Sequence, residues 1–359
     1  MANRVTIYEV AKRAGVSIAT VSRALRGSPL VAAPTRRRVL AVADELRFRP
    51  SRAGRSLAEG QHAASAIVFP DLAGPYYSEV VLGYEEVVAE LGRSVLILAT
   101  HGRPNATEKV LELSGRVDGM VIMGRTVGDE VLTRIAETGV ALVLLARPPA
   151  GPFDSINTDN EHGARGLVRH LFDDGYRRLR FVGDPDASPD VAGRYAGFVE
   201  AVDAAGLTAG QTPREPVRCT FDVQAGYEAA RGVLGNRERP QALVCANDEV
   251  ALGALRAAED AGLVVPDELA VTGWDDIMAA RYGRLTTVRQ PMRELGATAA
   301  RWLDERIAGG SPHPRHEVLR TQLVVRSSCG PHRSSTSQTS PTSQTSPTSQ
   351  TPTKDSGPS

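Results

Sequence analysis

Apolar residues in the first twenty-seven positions recur at helical spacing and are bounded by stop and start residues. In VTIYEVAKRAGVSIATVSRALRG, residues Ile7, Val10, Ala11 and Ala14 fall on one face of a short helix. Thr6 and Glu9 form a T-x-x-E capping box at its start, each side chain able to satisfy a free backbone N–H. Gly15 suits the left-handed residue that ends it, Ser17 can cap a second helix, and Gly27 can close that one. Val16, Val21 and Leu25 fit packing against the first helix, which leaves Ile18, Ala19, Ser22 and Arg23 facing outward. Two short helices joined so tightly form a helix-turn-helix, whose second helix enters the major groove by its N-terminal residues. By pattern alone the alternative is an ordinary helical hairpin with a solvated basic face. A third helix fits residues 34–46, with Val39, Leu40, Val42, Ala43 and Leu46 as its apolar side. Pro50 then stops the chain, and SRAGRSLAEG reads as a linker or a helix that forms only in company.

From residue 64 the pattern changes. Apolar runs of strand length (ASAIVF, SVLILA, GMVIM, ALVLLA, LRFVG, ALVCA, ELAVTG) alternate with amphipathic stretches such as YSEVVLGYEEVVAELG and ARGLVRHLFDDG. Continuous apolar strands separated by helices predict parallel sheets covered on both faces. Residues 62–326 are too long for one such sheet, so two α/β lobes are expected, with a cleft at the carboxyl ends of their strands. Residues 331–359 repeat TSQTSP-type units without a large apolar residue, which predicts a disordered tail.

Charge separates the two hypotheses for the head. Residues 1–60 hold twelve Arg or Lys against four acids, a net +8. The 359-residue chain has 42 charges of each sign, so the remainder carries −8. A basic head on an acidic body is the footprint of a phosphate-binding module. Cys219, Cys245 and Cys329 are odd in number and far apart, and the seven histidines show no ligand spacing, so neither disulfides nor a metal is expected. No helix-opening G-x-G-x-x-G or phosphate loop occurs, and no cofactor is expected. No window approaches a membrane span, and the N-terminus lacks a signal-peptide pattern, so the expected compartment is the cytoplasm. The missing signal-peptide pattern and the +8 head count against a solute receptor for transport. An enzyme finds no nucleophile–base pair or metal cluster to support it, and fold alone does not establish catalysis. Asp275 and Asp276 are adjacent, and neighbours in an extended chain point apart rather than forming a catalytic pair.

Several segments resemble, in order, the lactose-repressor (LacI-type) family of bacterial transcription regulators: the head itself, RPSRAGRSL, FPDLAGPYYSEVVLGYE, VDGMVIM, GRYAGF, CANDEVALG, GWDD, LTTVRQP and TQLVVRSS. The resemblance spans about Val5 to Ser327. It implies a helix-turn-helix head over residues 1–50, a hinge helix or linker over 51–61, and a two-lobed periplasmic-binding-protein-like body over 62–330. It also implies a homodimer, a near-palindromic double-stranded operator and a small-molecule effector in the cleft. The implied lobes are about 62–174 with 291–320, and about 176–289 with 321–329.

Carried onto this chain, the resemblance gives Ile18, Ala19 and Arg23 as base-contacting residues. Arg23 can grip a guanine edge with two hydrogen bonds, while the other two can only make apolar contacts. Thr6, Tyr8, Ser17, Thr20 and Ser22 offer hydroxyls to phosphates, which position without specifying. Arg52 and Leu57 fall in the hinge match; Leu57 is a minor-groove wedge or, alternatively, packs on the body. The cleft candidates are Asp71, Tyr76, Tyr77, Arg194, Phe221, Asn247 and Asp275. Phe221 would stack on the effector, and Arg194, Asn247 and Asp275 would orient it, a set that suits a sugar-like hydroxylated ring. Asn247 can also cap a helix, Asp248 reads as a first-turn acid, and Gln290 reads as hinge at a lobe crossover. Four positions depart from the family pattern, one of them Ser51, which stands where Asn usually follows the hinge Pro. Ala32 stands where a capping Ser is usual, Gly54 where Ala is usual, and Ala146 removes an acid before Arg147.

Overall fold

The computed structural model describes residues 5–48, 62–236, 238–310 and 313–330. The hinge match, with Arg52, Gly54 and Leu57, and the Ser/Thr/Gln/Pro tail lie outside the described residues.

The head is three helices: α1 (Ile7–Ala14), α2 (Ile18–Leu25) and α3 (Ala33–Glu45). At the start of α1 the Glu9 carboxylate accepts the Thr6 backbone N–H at 2.6 Å, and the Thr6 hydroxyl donates to the same carboxylate at 3.2 Å. Gly15 ends α1 at φ 64°, a left-handed backbone that a side chain would strain. Ser17 caps α2 by accepting the Thr20 N–H at 3.1 Å, and α3 starts at Ala32 with no side-chain cap. Val10, Ala11, Ala14, Val21, Ala24, Val39 and Ala43 close one small core. Leu40, expected on the apolar side of α3, is 44% exposed instead, because the buried face runs through Val39 and Ala43.

The body continues as β1 (Ala64–Phe69), α4 (Pro75–Glu90), β2 (Ser94–Ala99), α5 (Ala106–Ser114), β3 (Gly119–Met123), α6 (Asp129–Ala136), β4 (Ala141–Leu145) and β5 (Asp154–Thr158). Next come α7 (Asn160–Asp173), β6 (Leu179–Val182), α8 (Pro189–Ala204), α9 (Val223–Leu234), β7 (Ala242–Cys245), α10 (Asp248–Asp260), β8 (Ala270–Thr272), α11 (Met278–Tyr282) and β9 (Thr287–Arg289). The last elements are α12 (Met292–Ile307), β10 (His316–Leu319) and β11 (Gln322–Val324). Among the described residues no helix is long and apolar enough to cross a membrane.

One lobe is a six-stranded parallel sheet, order β10-β5-β4-β3-β1-β2. Alternation along its strands feeds two cores. Ile67, Phe69, Val121, Met123, Val143 and Leu145 face α4 and α12, while Ala66, Val68, Met120, Ile122, Leu142 and Leu144 face α5 and α6. The other lobe centres on the parallel sheet β6-β7-β8. Ala242 and Val244 point to the α7 and α8 core, and Leu243 and Cys245 to that of α9 and α10. The antiparallel pair β9–β11 joins this lobe through the bridges Thr272↔Thr286 and Asp275↔Arg289.

The chain passes between lobes near residues 159, 290 and 320. The first crossing corrects the boundary expected at 174. Helix α7 belongs to the second lobe, where Ala164, Leu167, Val168 and Leu171 pack with Phe181, Phe198 and Trp274. Strand β5 (DSINT) escaped the apolar pattern because all its residues but Ile156 are polar. Its buried Asp154 carboxylate holds Arg306 of α12 (Nε 2.9 Å) and Arg315 ahead of β10 (Nη2 2.8 Å). Those guanidiniums outweigh the burial that would raise the carboxyl, and its pKa falls to about 2. Strand β2 departs from the expectation of burial on both faces: it is the sheet edge, and Ile97 is 45% exposed.

Candidate functional sites

The outward face of α2 is as the spacing predicts except at Ser22, which is half-buried. Ile18, Ala19 and Arg23 are exposed, as are Thr6, Tyr8 and Ser17, while Thr20 and Ser22 are half-buried. The Ser17 and Thr20 hydroxyls also meet each other at 2.9 Å, so both are engaged in the cap that fixes the start of α2. Ser17, Ile18 and Ala19 sit at the N-terminal end of α2, where the free backbone N–H groups favour an anion, while Arg23 lies in its last turn.

A second set of residues converges where the lobes meet. Gln290, on the middle crossing, donates from Nε2 to Asp275 Oδ1 at 2.6 Å and accepts from the Thr158 hydroxyl at 2.6 Å. Arg194 of α8 lies 4.0 Å from the same Asp275 oxygen. It donates from Nε to Asn160 Oδ1 at 2.9 Å and from Nη1 to the Ala246 carbonyl at 2.8 Å, and it stacks 4.8 Å over the Trp274 ring. Asn160 in turn donates to Asp190 Oδ1 at 2.9 Å. All of these side chains are buried.

From the other lobe, Tyr76 brings a buried hydroxyl with no hydrogen-bond partner among the described residues. Burial, followed by the charges of Asp190 and Asp275, drives its pKa well above the usual phenol value. Tyr77 is raised to about 12 for the same reasons, burial first and then Asp71, Asp275 and Asp190. Asp275 is itself lifted by burial and lowered in part by Arg194 and Gln290. Its backbone is held at φ 113° and that of Asp276 at φ 60°. Asp276 turns away to Arg289 (2.7 Å) and Arg326, so the two acids point apart, as adjacency suggests, although their backbone is left-handed rather than extended.

The remaining candidates are placed less centrally. Asp71 accepts the N–H groups of Leu72 and Ala73 at 2.6 and 3.0 Å and orders its own loop. Asn247 caps α10 by accepting the Val250 N–H at 2.9 Å, and donates to the Phe221 carbonyl at 3.3 Å. Asn247 thus holds the backbone of Phe221, which is half-buried against the second-lobe core. Asp248 does more than meet a helix dipole. Fully buried, it accepts from Ile277 N at 2.9 Å and from the Thr287 hydroxyl at 2.6 Å, tying α10 to the loop of Asp275 and to β9. Beside Ala146, Arg147 is also buried and donates to the Gly124 and Val127 carbonyls.

Sequence reasoning missed Thr158, Asn160, Asp190 and Glu249. Glu249 Oε2 lies 2.5 Å from where a Cβ on Gly74 would stand, which puts an acid of the second lobe against the first. The available signal was that polar residues interrupt both the end of β5 and the first turn of α8.

Residues 6–51 match the profile of bacterial regulatory proteins, lacI family, and residues 168–329 match the periplasmic binding protein-like domain. The HTH-type transcriptional repressor PurR of Photobacterium profundum is 30% identical, over 90% of this chain and 98% of that protein. The chain belongs to the lacI family. As a family member it is a DNA-binding transcriptional repressor with a ligand-binding domain. The lac repressor dimer bound to operator and the anti-inducer ONPF superposes with a TM-score of 0.79 at 28% identity, covering 91% of this chain and all of that one. The regulator CelR in complex with cellobiose gives 0.67 at 29% identity, covering 90% of this chain and all of that one.

Proposed function

We propose that this lacI-family protein binds a near-palindromic operator as a homodimer and is controlled by a small hydroxylated, sugar-like effector held between its lobes. The observation that carries the effector half is the convergence of Arg194, Asp190 and Asp275 around the unpartnered, buried hydroxyl of Tyr76. A hydroxylated ring supplies donors and acceptors together, which a guanidinium, carboxylates and a phenol require. The relative solved with cellobiose carries a sugar.

The DNA half rests on α2, with Arg23 reading a base edge, Ile18 and Ala19 meeting apolar base atoms, and the Thr6, Tyr8, Ser17, Thr20 and Ser22 hydroxyls near phosphates. Two heads joined through their bodies require a two-fold operator. Exposed apolar side chains on the edge strand (Ile97, 45%) and on α11 (Met278 71%, Tyr282 83%, one turn apart) offer surface for self-association. Effector occupancy then changes how the lobes sit, and with them residues 51–61, which join body to head and contain Arg52 and Leu57.

Selection of binding duplexes from random DNA, repeated with pooled sugars, tests both halves. A palindromic consensus whose occupancy changes with one sugar pool supports the proposal. A consensus without two-fold symmetry contradicts the homodimer, and occupancy indifferent to every small hydroxylated ligand contradicts the cleft assignment.

A further inference from the structure

Far from the cleft, the fold joins three residues that lie up to 159 positions apart. His170 and Asp174 sit one turn apart at the C-terminal end of α7, and Cys329 closes the body. His170 Nε2 is 3.3 Å from Cys329 Sγ and 3.5 Å from Asp174 Oδ2. We propose that His170, Asp174 and Cys329 form a binding site for a zinc-like divalent ion that pins the C-terminal segment to α7.

The geometry supports a shared ion. Around a tetrahedral ion with metal–nitrogen and metal–oxygen bonds near 2.1 Å and metal–sulfur bonds near 2.3 Å, neighbouring donors stand about 3.4–3.6 Å apart. The 3.5 Å nitrogen–oxygen spacing matches, the 3.3 Å nitrogen–sulfur spacing is slightly shorter, and all three donor atoms lie within 4.8 Å of one another. A nucleophile–base relay is a poor description, because a relay uses opposite ring nitrogens for nucleophile and carboxylate. Here one nitrogen faces both partners, and Cys329 is buried.

The carboxylate gives a second, independent reason. Asp174 caps the C-terminus of α7, the negative end of a helix dipole, which disfavours a carboxylate. Its Oδ2 is buried and finds no hydrogen-bond partner among the described residues. A cation on that oxygen answers both problems. The donor set of thiolate, imidazole and carboxylate favours zinc over calcium or magnesium. On binding, the sulfur–metal bond forms, the thiol proton leaves to solvent, and His170 coordinates as the neutral ring. Before that, the Cys329 thiol donates to the Thr286 hydroxyl at 3.1 Å, which holds its sulfur in place.

The test uses the full-length, untagged protein, stripped with chelator and then titrated with Zn2+ against a chromophoric competitor and separately with Co2+. The expected result is one ion per chain and a thiolate-to-cobalt charge-transfer band. Both are lost in Cys329→Ser and retained in Cys219→Ser. Asp174→Asn, which keeps the shape of the side chain, keeps the experiment decisive if Cys329→Ser does not fold, and it is expected to weaken binding while circular dichroism stays unchanged. No stoichiometric binding, a cobalt spectrum without the thiolate band, or affinity unchanged in Cys329→Ser or Asp174→Asn overturns the site.

Discussion

Glu249 shows how a single carboxylate reports on the meeting of the lobes. Its pKa is held up to about 7, by burial first and then by Asp275 and Asp222. An acid raised in the folded state binds its proton more tightly there than in the unfolded chain. Its ionised form therefore costs stability in full above pH 7, and the cost is relieved as pH falls from 7 toward the ordinary value of 4.5. Glu249→Gln removes the charge and keeps the shape. The variant is expected to resist urea better than the parent at about pH 8, and the two midpoints should converge by about pH 5. A constant gap across that range would show that Glu249 titrates normally. Such residue-scale chemistry was legible only in part. Arg194, Tyr76 and Asp275 could be named from the sequence, but Asn160 and Asp190 could not. Their hydrogen bonds to each other and to Arg194 depend on how α7 crosses α8, which no local pattern encodes.

Elements were read best where burial or capping marks them. Strands β1, β3, β4 and β7 announce themselves as apolar runs because both faces are covered. Polar β5 and the short β9 do not, because their residues bond across the body. The lobe of α7 was misread because the boundary near 174 was carried over from the resemblance, and the apolar stripe of α7 says that a face is buried and not against what. Helix pairing and helix capping give one prediction each. Gly83 on α4 and Gly296 on α12 let the backbones touch: a Cβ on Gly83 would lie 2.0 Å from the Arg293 carbonyl oxygen, and one on Gly296 would lie 2.1 Å from that of Val80. In an open helix Gly→Ala is worth roughly 1 kcal/mol of stability. Here the sign reverses, and Gly83→Ala is expected to destabilise by about 1–3 kcal/mol, read from chemical denaturation. A neutral or stabilising result would mean that α4 and α12 are not so closely packed. In the head, α3 begins at Ala32 without a side-chain cap, so Ala32→Ser is expected to add about 1 kcal/mol. A thermal melt of the head that does not rise would argue against that helix start.

Over the whole molecule, basic charge is concentrated in the head and the proposed ligand chemistry in the body. The basic head presents Arg23, Ile18 and Ala19 on a capped helix, and the acidic body closes buried carboxylates and an arginine around its cleft. A substitution in either part is expected to leave the other intact. Asp275→Asn should abolish the response to effector while operator affinity stays near that of the parent, since among the described residues Asp275 pairs with Gln290 and Arg194 of the body. Loss of operator binding in that variant, with the fold retained, would mean that the cleft is needed for more than sensing.

If α2 reads base sequence from both halves of a two-fold site, Arg23→Ala on the selected operator is the decisive variant. Titrations would compare parent and variant on that duplex and on duplexes altered at one symmetric base pair in each half-site. Arg23→Ala is expected to lose about 1–3 kcal/mol of affinity and to stop discriminating at that base pair, while retaining its preferences elsewhere. Unchanged affinity together with unchanged discrimination at every position would contradict that reading.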